Sequence, residues 1–125
     1  MKKLLMLTAA IEAGAGLALL VWPSEVAILL LGSSLDTPVS LTLGRLAGIA
    51  LFTLGVHCWL GRNEEQSSAA NGLVVGMLIY NAAVASILAF AGIGLGLRSV
   101  GLWPAVVVHI AMAVWCMATM IKMKQ

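Results

Sequence analysis

Glu12, Arg45, Tyr80, Asn81 and His109 are the residues of this 125-residue chain whose chemistry could do more than pack. Each lies inside a long apolar stretch, and a carboxylate such as Glu12 at mid-depth in a bilayer costs about 3 kcal/mol even on lenient insertion scales. Glu12 falls near the centre of the first stretch, and Tyr80 with Asn81 near the centre of the third. At a helical rise of about 1.5 Å per residue, His109 lies about 5 Å and Arg45 about 8 Å to the outer side of the midplane. Glu12, Arg45, Asn81 and His109 could therefore meet in the outer half of one helical bundle. A Glu12–Arg45 pair would keep the carboxylate charged, and with Asn81 and His109 it would make a polar pocket in a hydrophobic shell. The alternative is structural. Arg45 then snorkels to the headgroups, Glu12 bonds a neighbouring helix as the neutral acid, and Asn81 and His109 make interhelical bonds. His109 shares a helical face with Ala105, Ala113 and Cys116, a small-residue stripe suited to a bundle interior.

The remaining reactive side chains point to simpler roles. His57 follows Arg45 by twelve residues, about 120 degrees around a helix at 100 degrees per residue, so the two cannot address one pocket. It also lies about 14 Å from His109 along the membrane normal, which rules out one haem held by both rings and leaves an inner-edge histidine. Cys58 and Cys116 differ by about 5 Å in depth and are expected as small buried apolar groups. The chain has no C-x-x-C, H-E-x-x-H or G-x-S-x-G, and two sulfurs fall short of the four ligands of a closed zinc site. No cofactor or metal is indicated, and an enzyme has no paired nucleophile to work with.

The elements that must position these residues are four apolar runs, Leu4 to Trp22, Leu41 to Leu60, Ala69 to Ala91 and Leu102 to Ile121. Each is long enough to cross a bilayer as a helix. Hydrophobic residues make up 62% of the chain and charged residues 10%, a balance that no soluble domain of this size needs. The expected fold is all-α, a single integral membrane domain forming a four-helix bundle. Met1-Lys2-Lys3 ahead of an apolar run has the ingredients of a signal peptide, but the run continues through Val21 and reads as a first span. Between the first two runs, Pro23 to Gly32 is too short to cross and too apolar for an exposed loop. Ser24 as N-cap, Glu25 in the first turn and Gly32 as stop predict a short interfacial or re-entrant helix.

Charge placement sets the expected orientation. With the N-terminus cytoplasmic, Lys2, Lys3, Arg62, Lys122 and Lys124 lie inside, while Arg98 and Arg45 lie toward the outside with Asp36. The polar loop Gly61 to Ser68 then joins antiparallel neighbours on the inner face. Association in lipid needs small residues that let backbones approach. The candidates are Ala10, Gly14 and Ala18, then Gly44 and Gly48, Gly72 and Gly76 with Ala85 and Ala89, and finally Ala105 and Ala113. The same stripes could instead pack on another subunit. Trp22, Trp59 and Trp103 mark span ends, where amphipathic rings anchor.

Gly44-Arg45-Leu46-Ala47-Gly48, Leu54-Gly55-Val56-His57-Cys58-Trp59, Tyr80-Asn81, Trp103-Pro104 with His109, and Trp115-Cys116 resemble the pattern of small bacterial inner-membrane proteins. In layout the chain is similar to the broader DoxX-like group of four-helix proteins. The resemblance implies a multi-pass protein of the bacterial cytoplasmic membrane and carries no mechanism. Two function classes follow. One is a module that binds or transports a small amphipathic or lipid-like molecule at Glu12, Arg45, Tyr80, Asn81 and His109. The other is a structural or accessory subunit packing on a larger membrane complex or on its own copies. Membrane lipid is the expected partner in either case, and nothing points to nucleic acid.

Overall fold

The computed structural model describes residues 1–64 and 67–123, and these are all-helical, with no strand among them. Glu65 and Gln66 of the polar loop and Lys124 near the C-terminus lie outside the described residues. Five helices follow in order: α1 (Lys2–Val21), α2 (Pro23–Leu31), α3 (Pro38–Gly61), α4 (Ser68–Ile93) and α5 (Leu102–Met123). Four of them, α1, α3, α4 and α5, are long and apolar enough to span a membrane, and the chain is a multi-pass membrane protein. The expected runs match these helices to within a few residues at each end.

Local chemistry explains the boundaries. The side chain of Thr37 accepts from Ser40 N at 3.0 Å while Ser40 Oγ accepts from Thr37 N at 3.1 Å, a reciprocal cap that opens α3 with Pro38 in its first turn. Ser67 caps α4 by accepting from Ala70 N at 3.1 Å. Between α1 and α2, Trp22 leaves the helical region at φ −127° and ψ 61°, as a residue ahead of proline is pushed to do.

Ser24 is not the N-cap of α2 that its type suggested. The helix starts at Pro23 with Trp22 in the cap position, because proline brings a preset φ and has no N–H to satisfy. The Ser24 hydroxyl is instead spent on Leu35 O at 3.0 Å, tying α2 to the segment that leads into α3. Gly32 does stop α2, in the left-handed region at φ 79°. The last carbonyls of α2 are satisfied from far along the chain. Gly101 N donates to Leu29 O at 3.0 Å and Ser99 Oγ to Leu30 O at 2.8 Å, so the α4–α5 connection holds down a helix too short to cross a bilayer.

The four long helices pack in two different ways. α1 and α3 run antiparallel in backbone contact: a Cβ on Gly16 would sit 2.6 Å from Gly48 O, and one on Gly55 2.6 Å from Ala13 N. Helices α4 and α5 form a second close antiparallel pair, with Gly92 against Leu102 and Trp103. Between the pairs backbones stay apart and large side chains fill the space. Leu4, Leu5, Cys58, Val74, Met77 and Cys116 are each no more than 1% exposed there. The molecule is thus two tight hairpins joined along a seam of side chains. The α1 stripe that meets α3 runs through Ala13 and Gly16, not through the expected Ala10 and Gly14, which are exposed. Trp22, Trp59 and Trp103 lie exposed at helix ends.

Candidate functional site

The polar residues of the spans converge on the seam. Glu12, on α1, is only 3% exposed. Across the seam the Tyr80 hydroxyl of α4 donates to Glu12 Oε2 at 3.0 Å. Tyr80 also stands edge-on to the His109 ring of α5, with centroids 5.7 Å apart and planes at 77°, an edge-to-face arrangement that aromatic rings favour. His109 Nδ1 lies 2.8 Å from Asn81 Oδ1. Three helices therefore contribute to one connected group, and its Glu12–Tyr80 bond crosses from one hairpin to the other.

The hydrogen-bond directions fix the histidine. Asn81 is fully buried and its amide nitrogen donates to Met77 O at 2.8 Å; a backbone carbonyl can only accept, so the amide oxygen is the atom that faces His109. That oxygen can also only accept, and so Nδ1 of His109 carries the hydrogen. In the neutral ring the lone pair then sits on Nε2, which makes no hydrogen bond among the described residues. His109 is half-buried, whereas Asn81 is sealed.

Arg45 does not join this group. It is exposed, and the Glu12 carboxylate takes its hydrogen bond from Tyr80 instead of from a guanidinium. The reason is rotational. Gly44 and Gly48 turn toward Pro23, Leu35 and α1, and Arg45, 100 degrees further round from Gly44, points out to the bilayer side of α3. The expected Glu12–Arg45 pair is replaced by Glu12–Tyr80, while Asn81 and His109 bond each other beside it.

Two further observations complete the interior. Thr8 is 1% exposed and its hydroxyl has no hydrogen-bond partner among the described residues. It lies one turn before Glu12 on the same face of α1, and that polar pair four residues apart in an apolar helix is the signal that would have drawn attention to it. Cys58 and Cys116 are both buried free thiols in the same packed cluster. His57 is exposed, with Nδ1 2.9 Å from Thr53 O of its own helix, and takes no part in the polar group. Among the described residues no three His, Cys, Asp or Glu side chains converge as a metal site would need.

Comparison of the chain with protein-family models, with curated proteins and with solved structures finds no match. What the group at the seam does has to be read from its own chemistry.

Proposed function

We propose that the chain binds a small amphipathic or lipid-like molecule at the seam, through Glu12, Tyr80, Asn81 and His109. The observation that carries this reading is the half-buried His109, whose Nδ1 is spent on Asn81 and whose Nε2 has no partner among the described residues, on a helix long and apolar enough to span a membrane. An acceptor there is costly to leave idle and attracts a hydroxyl or amide donor. The ligand class is therefore an apolar molecule whose head donates a hydrogen bond.

The chain has only two histidines, which makes the test direct. In protein labelled with 15N-histidine, adding a neutral alcohol-headed amphiphile such as monoolein is expected to shift the ring signals of His109 and leave those of His57 in place. Equal shifts in both rings, or none in His109, would end this reading.

The resemblance to DoxX-like four-helix proteins and a place in the bacterial cytoplasmic membrane, with both termini inside, belong to the same proposal. They rest on the layout of the spans and on five basic residues facing two. With Ser67 replaced by cysteine, an impermeant thiol reagent should leave intact cells unlabelled, and with Asp36 replaced it should label them. The opposite pattern would invert the topology.

A second reading, an accessory subunit that packs on another protein or copy, is favoured by Gly72 and Gly76. A Cβ on either would meet nothing within 4 Å, so a pair spaced for close helix contact is turned outward from this chain.

A further inference from the structure

We infer that a second site, separate from the seam, lies on the outer face of α1 and α3 and holds one anionic phospholipid of the leaflet nearest the N-terminus. The site begins as a groove of about 360 Å³, bounded by Met6, Ala10, Ala13, Gly55 and Trp59. Its origin is the tight packing already described. Gly55 rests on Ala13, so at this level neither helix carries a side chain large enough to fill the angle between them. Met6 and Trp59 rise as walls toward the inner end, and both are partly exposed. The lining is almost wholly apolar and suits a hydrocarbon chain.

What names the occupant is the charge at one end of this groove. The guanidinium of Arg62 is stacked over the Trp59 ring at 3.9 Å from its centroid, and it also donates to Trp59 O. The stack holds a cation at the groove mouth whose remaining N–H donors have no partner among the described residues, in the fork geometry that matches phosphate oxygens. Lys2 precedes Met6 by four residues on the same face of α1, and α1 runs antiparallel to α3, so its ammonium lies at the same end. Lys3 is exposed beside it. Glu64, the described acidic residue near this end, lines a different groove with His57 between α3 and α4. An apolar trough ending in an aromatic ring, a fixed guanidinium and an ammonium complements an acyl chain joined to a phosphate. A neutral headgroup would leave the two cations with less to bind.

The test uses the purified full chain in neutral detergent, incubated with phosphatidylglycerol or with phosphatidylcholine of the same acyl chains, and counts retained lipid by native mass spectrometry. Phosphatidylglycerol should be retained about 25-fold more, since each of the two basic residues near an anionic headgroup is worth about fivefold or a little more. Lys2→Gln combined with Arg62→Gln should bring the two lipids level. Ala10→Phe, at an exposed groove position away from the α1–α3 contact, should lower retention of both. Equal retention of the two lipids by the unaltered chain, a preference that survives the double substitution, or an Ala10→Phe chain that retains lipid as before would each overturn the site. None of these outcomes depends on His109, so the two binding proposals stand or fall separately.

Discussion

Gly16→Ala is expected to lower the melting temperature in detergent by several degrees, although it adds a single methyl group. That methyl would sit 2.6 Å from Gly48 O and 2.8 Å from Phe52 Cα, and backbone atoms in a packed helix pair cannot step aside as a side-chain tip can. Overpacking of this kind costs about 1–3 kcal/mol and occasionally more. In lipid the loss is not offset elsewhere, because close contact is itself what holds the two helices together. Gly72→Ala is the matched control. With nothing within 4 Å of the new atom, the better helix former should leave stability unchanged or raise it by about 0.5–1 kcal/mol. Equal responses at the two positions would mean that α1 and α3 are not in backbone contact.

Tyr80→Phe is the second substitution with a large expected effect. It strips the buried Glu12 of the donor that reaches it from the other hairpin, and a buried polar group left without its partner costs about 1–3 kcal/mol. Bonds between membrane helices average about 0.6 kcal/mol when both partners are removed in a cycle, so Glu12→Leu combined with Tyr80→Phe should recover much of the single loss. Arg45→Gln supplies the contrast. Its effect should simply add to that of either substitution, because the exposed Arg45 shares no bond with the pair. A Glu12–Arg45 coupling larger than the Glu12–Tyr80 coupling would restore the ion pair that the sequence first pointed to.

The contrast between Arg45 and Tyr80 shows which parts of the architecture could be read in advance. Run length and hydropathy located four spans, and Pro23 with Gly32 located the break and the stop of α2, because these signals are local. Position along each helix is also local, and it groups Glu12, Tyr80, Asn81 and His109, among which the bonds Tyr80–Glu12 and His109–Asn81 are made. Rotation about each helix axis depends on which neighbour a helix meets. Arg45 stands one residue from a glycine that faces inward, and that single step of 100 degrees separates a buried partner from a lipid-facing cation. Glycine spacing is informative only in part, for the same reason: the expected Gly44 and Gly48 do turn inward, with Gly48 against Gly16 O and Leu20 N. Gly72 and Gly76 repeat the four-residue interval that signals close packing, yet they face away from the chain, while Gly16 and Gly55 make the contacts. Tyr80 was picked out by position, but its partner lies across a seam whose existence follows from how two hairpins dock.

The bond from Ser99 to Leu30 spans 69 positions of the chain, and this separation has a consequence for how the protein is made. At about 5–20 residues per second, the ribosome finishes Leu30 roughly 3–14 s before Ser99 exists. Throughout that interval the nascent α2 has neither the Ser99 hydroxyl nor the Gly101 amide to close its end, and it must wait at the membrane with those carbonyls turned to water. The closing of the α2 end therefore comes late, although the helix is among the first to be synthesised, and a chain truncated before Ser99 would hold α2 only through α1, α3 and the Ser24–Leu35 bond.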